Sequence, residues 1–422
     1  MREGWEEVLL GDLLTKIIGG GTPSKSKPEY WNGDLLWCSV KDMQDDKFAL
    51  HDTEDRITEL GLKNSSANLI KKGTVITATR MGLGRAFIAG KDMVINQDLK
   101  ALIPNDKVNN KYLLWLIIFN RNNLLNLGTG STVKGIRLET LRSLQINLPP
   151  LKTQRKIASI LSEYDDLIEN NLKRIKLLEE QAQQTYEEWF VRFKFPGYES
   201  VEIDEESGLP FGWERVKCFD VMEVLSGGTP KTNNDEYWNG IIEFYTPKDA
   251  SNGVYTNGTE KHVTKLGLSK CNSKLYPKDT VFITARGTVG KINLAATSMA
   301  MNQSCYALKG RNYVTQYFLY NAMLNIVGSF KSAASGGVFD TIVVDTFKFS
   351  PFVLPDSKMV EKYSLFVTPI FESILNLQNQ NQHLKEARDI LLPRLMSGMI
   401  DVDGLEVEGK LSMVAEGSEK YN

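Results

Sequence analysis

Gly19-Gly20-Gly21-Thr22-Pro23-Ser24-Lys25-Ser26 has the composition of a loop that wraps a phosphate. Consecutive glycines let backbone amides approach an oxyanion, and the following lysine supplies charge. A nucleotide-binding loop has glycine before that lysine, whereas Ser24 stands there, and the related run Gly227–Thr232 departs as well. The familiar catalytic sets are also missing. There is no Gly-x-Ser-x-Gly, no His-Glu-x-x-His, no Cys/His nucleophile pair, no Asp/Asn-Pro-Pro-Tyr/Phe of an amino-methyltransferase, and no glycine-rich cofactor loop after a strand. Cys38, Cys218, Cys271 and Cys305 form no Cys-x-x-Cys, and with only His51, His262 and His383 beside them no zinc site is expected. What remains for chemistry is a set of cations and amides in loops, the equipment of a binder.

Three loop signatures occur twice. Gly-Gly-Thr-Pro is followed by Lys25 and Lys27, or by Lys231, and then by Tyr-Trp. The loop suits a DNA phosphate, but it also suits a plain turn with Tyr30, Trp31, Tyr237 and Trp238 as core aromatics. The second signature is Arg80-x-Gly-x-Gly-Arg85 against Arg286-Gly-x-x-Gly-Lys291. A cation at each end of a glycine-rich turn fits DNA backbone or a guanine edge, and equally a solvated hairpin. The third is Asn96-Gln97 against Asn302-Gln303, amides that pair with adenine or cap turns. Lys41 and Lys248, each before an aspartate, and Lys134 complete the expected DNA-contacting set.

These motifs belong to a tandem duplication. Trp5-Glu6 returns as Trp213-Glu214, Glu29–Gly33 as Glu236–Gly240, the run from Gly73 as the run from Asp279, and Leu148-Pro149 as Leu354-Pro355. The offset drifts only from 208 to 206, so the halves differ by small loop deletions. Short β-branched runs such as 74–79 and 281–284 alternate with turns, and helices are expected at 110–119 and 314–327. Each block reads as an α+β domain.

Between and after the blocks lie rods. Residues 153–193 contain neither Gly nor Pro, and Ile157, Leu161, Tyr164, Ile168, Asn171, Ile175, Leu178, Ala182, Thr185 and Trp189 follow a 3.5-residue repeat. Some 40 residues would make a helix about 60 Å long. Adding 206 gives a second seam of Tyr363, Val367, Ile370, Ile374, Leu377, Asn381, Leu384, Arg388, Leu391 and Leu395. Pro369 is expected to open this helix, capped by Thr368, and Pro393 to kink or end it. Asn171 and Asn381 are candidate register-setting residues, or weakly packed solvated ones. Intramolecular pairing of the two rods is expected.

The 422 residues, 42% hydrophobic and 24% charged, are those of an ordinary globular protein. Residues 1–150 carry net +3, 151–212 net −5, 213–355 net +4 and 356–422 net −4. Basic blocks thus alternate with acidic rods that would avoid DNA. No apolar run reaches 18 residues and MREGWEEVLL is no signal peptide, so a reducing cytoplasm is expected.

The ordered repeat of Gly-Gly-Thr-Pro, Tyr-Trp-Asn-Gly, Lys-Asp, Ile-Thr-Ala-Arg-Gly and Asn-Gln, each copy ending in Leu-Pro and a long helix, resembles the specificity subunits of Type I restriction–modification systems. So do Leu148-Pro149-Pro150-Leu151-x-x-Gln154-x-Lys156-Ile157-Ala158 and the run from Leu391 to Gly398. The resemblance implies two tandem target recognition domains, 1–150 and, with its linker, 196–355. They alternate with helical regions at 151–195 and 356–400, packed as an intramolecular antiparallel coiled coil with pseudo-two-fold symmetry, and 401–422 would be a flexible tail. It implies that each domain reads one half of a bipartite double-stranded DNA site. The helices would dock two methyltransferase subunits, which carry S-adenosylmethionine and methylate adenine N6. Two restriction/translocase subunits, served by ATP and Mg, would complete the complex. This chain would hold no cofactor or metal and touch no membrane, and Pro393 would leave the second rod shorter than the first. Two other readings stand beside it: a methyltransferase fused to a specificity chain, and a non-catalytic coiled-coil scaffold whose globular blocks bind protein ligands.

Overall fold

The computed structural model describes residues 4–130, 134–333 and 341–405, and most of the expected tail, 406–422, lies outside them. Two compact units result, one from 1–169 with 382–422 and the other from 170–381. Each long helix runs from one unit into the other, so both units own a piece of both helices.

In the first unit a five-stranded sheet runs Leu14–Gly19, Leu99–Pro104, Val75–Ala78, Ala86–Ala89, Ala49–Leu50, beside a four-stranded sheet of Asp55–Ile57, Trp31–Cys38, Met93–Ile95 and Leu69–Ile70. A ribbon of Glu6–Leu9 with Gln145–Leu148 ties the start of the domain to its end. The helix Asn110–Phe119 falls where the apolar run placed it, buried through Tyr112, Leu113, Trp115 and Ile117. The second unit repeats the plan, with Met222–Ser226, Cys305–Gly310, Val281–Thr284, Ile292–Ala295 and Tyr255–Thr256 as its five-stranded sheet. Its helix spans Gln316–Ala333, overlapping the expected 314–327.

The Tyr-Trp-Asn-Gly signature is a bulge. Trp31 and Leu35 both face Ile57, and Trp238 and Ile242 both face Val263. Asn32 and Asn239 take left-handed backbone at φ 60° and 57°, a region asparagine tolerates better than most residues. A side chain on Gly33 would meet the Ile57 carbonyl at 2.6 Å, and one on Gly240 the Val263 carbonyl at 2.4 Å. Trp31 packs edge-on against Trp37 and Trp238 against Phe244, so these aromatics serve the core.

The two seams largely follow the repeat, with Tyr164, Leu178, Thr185, Leu384 and Leu391 only half-buried. Ile157, Leu161, Ile168, Asn171, Ile175 and Ala182 are buried on the first helix, Leu151–Tyr186, and Trp189 just beyond it. Tyr363, Val367, Ile370, Ile374, Leu377, Asn381, Arg388 and Leu395 are buried on the second, Ser357–Met396. The pairing is antiparallel in both units. Arg388 bonds Asp165 at 2.7 Å in the first unit, while Asn171 donates to Asn381 at 3.0 Å and Tyr363 to the Ala182 carbonyl at 3.4 Å in the second.

Two expectations about the second helix are overturned. Pro369 does not open it and Pro393 does not end it; both lie inside a 40-residue helix, longer than the 36-residue first one. Both prolines are on the exposed face, where water can take the bonds they forfeit and packing of the apolar face spans the defect. Tyr186 is buried in place of Thr185, and the first helix then ends in a π turn, Glu187–Val191, that buries Phe190 beside Trp189. These rings cluster with Trp213, Phe318 and Tyr363. At the other end Val402 is fully buried and Thr153 bonds Asp403 at 2.7 Å.

Candidate nucleic-acid interface

Four recurring loops, dispersed in sequence, are neighbours in the first domain. The Gly21 amide bonds the Ile95 carbonyl at 2.9 Å and Thr22 donates to the Gln97 side chain at 2.5 Å, which lays the Gly-Gly-Thr-Pro loop on the Asn-Gln turn. The amide and hydroxyl of Thr79 both donate to the Asp98 carbonyl, at 2.9 and 3.1 Å, which joins that turn to the Arg80 loop. The Asn96 amide reaches the Cys38 carbonyl, bringing in the loop that carries Lys41. The second domain repeats this framework. Gly228 bonds Met301, Thr229 the Gln303 side chain, Ala285 the Ser304 carbonyl, and Asn302 the Tyr245 carbonyl.

The side chains divide into those that build these loops and those the loops display. Asn96 is buried and accepts the Asp98 amide at 3.0 Å, and Asn302 accepts the Ser304 amide likewise, so both make turns. Asp42 and Asp249, the partners of Lys41 and Lys248 in their motifs, accept backbone amides from two separate segments each. Arg85 forks onto Asp45 at 2.8 and 3.1 Å, and Arg121 bonds the same carboxylate at 2.9 Å. Burial would raise the Asp45 pKa, but the two guanidiniums outweigh it and hold the carboxyl below its ordinary range. Lys291 donates to Asn252 at 2.7 Å.

On display are Lys25, Lys41, Arg80, Lys134, Lys231, Lys248 and Arg286, all exposed, with Gln97 and Gln303. Lys27 is exposed too, donating to Tyr30 at 3.2 Å, a bond that raises its pKa. The Gly19–Ser26 loop leads into a short 3-10 turn, Pro28–Tyr30, rather than a helix, so it lacks the helix terminus of a nucleotide loop.

Sequence reasoning missed a cleft of about 480 Å³ lined by Thr79, Arg80, Lys100, Thr129, Gly135, Ile136, Arg137, Leu138 and Glu139. Gly135 bridges to Arg80, and the Ile136 amide bonds the Thr79 carbonyl at 3.0 Å, which sets Arg137 beside Arg80 across 57 residues of chain. Lys100, its pKa lowered by burial, donates to the Gln97 and Leu99 carbonyls at the floor. Three cations against one carboxylate line the cleft, a composition that suits an anion. No local signal marked Arg137, because Ile136 and Thr140 around it return as Ile342 and Thr346 while the arginine itself does not repeat. The second domain keeps the backbone contact, Ile342 to Ala285 at 3.0 Å, but has Val343 after it.

Among the described residues no cluster of His, Cys, Asp and Glu could hold a metal, and no helix is long and apolar enough to cross a membrane. Two copies of one loop cluster, displaying cations on a frame of turns, suit the class of nucleic-acid binders. The family model for the Type I restriction modification DNA specificity domain matches residues 2–180 and again 210–386, and the chain belongs to that family. It is 28% identical over 410 residues to the Type I restriction enzyme MjaIX specificity subunit of Methanocaldococcus jannaschii, covering 95% of this chain and 94% of that one. It is 25% identical over 469 residues to the HindI specificity subunit of Haemophilus influenzae, covering 94% and 99%. The fold is similar to that of a Type I S subunit from M. genitalium, with TM-score 0.58 at 16% identity over 93% of this chain and 96% of the other. DNA sequence recognition as the non-catalytic subunit of a Type I restriction–modification complex is therefore this chain's function.

Proposed function

We propose that the loop clusters at 1–150 and 196–355 each read one half of a bipartite DNA site. The observation that carries this is the assembly of the same four motif loops twice, each time with its cations outward. Lys25, Lys27, Lys41, Arg80 and Lys134 in the first domain, and Lys231, Lys248 and Arg286 in the second, contact DNA. Gln97 and Gln303 stand at the same edges, while Arg85, Lys291, Asn96 and Asn302 hold the loops in place. The acidic helices dock two methyltransferase subunits, which bind S-adenosylmethionine, and two restriction subunits using ATP and Mg join them in the cytoplasm. Exchange of residues 1–150 for the corresponding domain of another specificity subunit is the test, read by mapping methylated sites. One half of the site should change. A change in both halves, or in neither, is incompatible with two independent readers.

The Arg80–Arg137 cleft is assigned to a DNA phosphate. Arg80→Ala and Arg137→Ala should each reduce the slope of log K against log salt by about 1, with weaker binding to all sequences alike. Anisotropy of the assembled complex over a salt series measures this. If both variants keep the parent slope, the cleft is not on the DNA path.

A further inference from the structure

At the tip of the Arg80 loop stands Met81, 58% exposed, with its backbone in the left-handed region at φ 52°. That conformation is strained for any residue with a Cβ and free for glycine. The duplicated position is Gly287, at φ 82°. The same turn is thus built without a side chain in the second domain, and the methionine belongs to neither core cluster around the sheet of the first. The loop beneath it is fixed. Leu83 is buried, the Gly84 amide bonds Ala78 at 3.2 Å, and Arg85 is forked onto Asp45. A flexible apolar side chain is therefore held out on a rigid mount, next to a displayed guanidinium.

Resting on the reading of this domain as a DNA reader, we propose that Met81 determines sequence by packing against the 5-methyl group of one thymine in the half-site of the first domain. Phosphates and sugars offer this side chain no specific partner. In the major groove the edges of G·C pairs are polar, and the apolar feature that distinguishes one base is the thymine methyl. An unbranched, polarisable thioether adapts to such a target without exact shape matching. Glycine in the other copy makes this a property of one half-site alone, which contributes to an asymmetric site.

The test uses the chain assembled with its methyltransferase subunits, as the parent protein and as Met81→Gly. Duplexes carry the mapped site with each thymine of the first half replaced in turn by deoxyuridine, which lacks only the methyl. The parent complex should lose about fourfold in affinity at one position, the worth of one buried methyl group. Met81→Gly should show that loss on the normal duplex and none further on the deoxyuridine duplex. Its response in the second half should match the parent, and its melting temperature should not fall. An equal deoxyuridine response of both proteins at every position overturns the proposal. So does a half-site without thymine, or a uniform loss that deoxyuridine does not alter, which would make Met81 a wedge between base steps. A parent complex that ignores the sequence of the first half instead refutes the reader assignment, and this proposal with it.

Discussion

Gly20→Ala is expected to destabilise the first domain by about 3 kcal/mol, at the upper end of what overpacking costs. The added Cβ would lie 2.1 Å from the Ile95 carbonyl oxygen and 2.2 Å from that of Asn96. Both are backbone atoms in a turn that closes the sheet, so no side-chain rotation relieves the clash. Part of the loop must peel away, taking with it the Gly21 amide bond and the Thr22–Gln97 contact. Gly227→Ala should act alike in the second domain, where the Asn302 carbonyl lies 2.1 Å from the new atom. Urea unfolding followed separately for the two domains reports the cost. Methylation mapping should show the matching half-site lost and the other kept. Unchanged stability in both variants would refute the close approach of these loops.

Arg388→Ala should cost about 3–5 kcal/mol, because removing one partner leaves a carboxylate desolvated and uncompensated. Arg388 occupies a seam position, its side chain only 3% exposed, with Asp165 at 2.7 Å, Asp389 at 2.9 and 3.0 Å, and the Phe48 ring 4.7 Å from the guanidinium. Burial lifts the Asp165 pKa to about 6 against the opposing pull of Arg388, and the carboxylates of Asp166 and Asp389 add to the rise. The sign follows from linkage. A carboxyl whose folded pKa lies above its unfolded value binds its proton more tightly when folded. The stability this brings is present at low pH and lost as pH rises through about 6. Without Arg388 the folded pKa climbs further, so the variant should be more damaged at pH 8 than at pH 5. Asp165→Asn should flatten the dependence, and Asp165→Leu with Arg388→Leu should recover most of the loss. Denaturation at the two pH values checks both; equal damage at both would show that the carboxylate is not the origin of the cost.

Much of the fold was legible because two periodicities carry it. The 3.5-residue repeat named the seam residues of both helices, including the odd Arg388 and the Asn171–Asn381 pair, because side chains at that spacing share one face whatever they pack against. The duplication extended every assignment in one half to the other, down to the strand at 281–284. Pro369 and Pro393 misled because a local rule met a tertiary override: on an exposed face, packing of the opposite side keeps the helix going. The site was half legible. Lys41, Arg80 and Arg286 could be named as loop cations, but Arg85 has the same local surroundings and proves to be bonded to Asp45, 40 residues away.

Architecture follows from order along the chain, since hydrophobic period and tandem repetition are properties of that order, and the order of the repeated motifs carries the resemblance to the family. The tertiary structure alone decided which polar groups are free to act. Whether an arginine is displayed or neutralised, whether an asparagine builds a turn or faces outward, and whether Arg137 joins Arg80 all depend on long-range contacts. Such contacts follow from how sheets and loops close on one another, and the residues flanking each group hold no record of them.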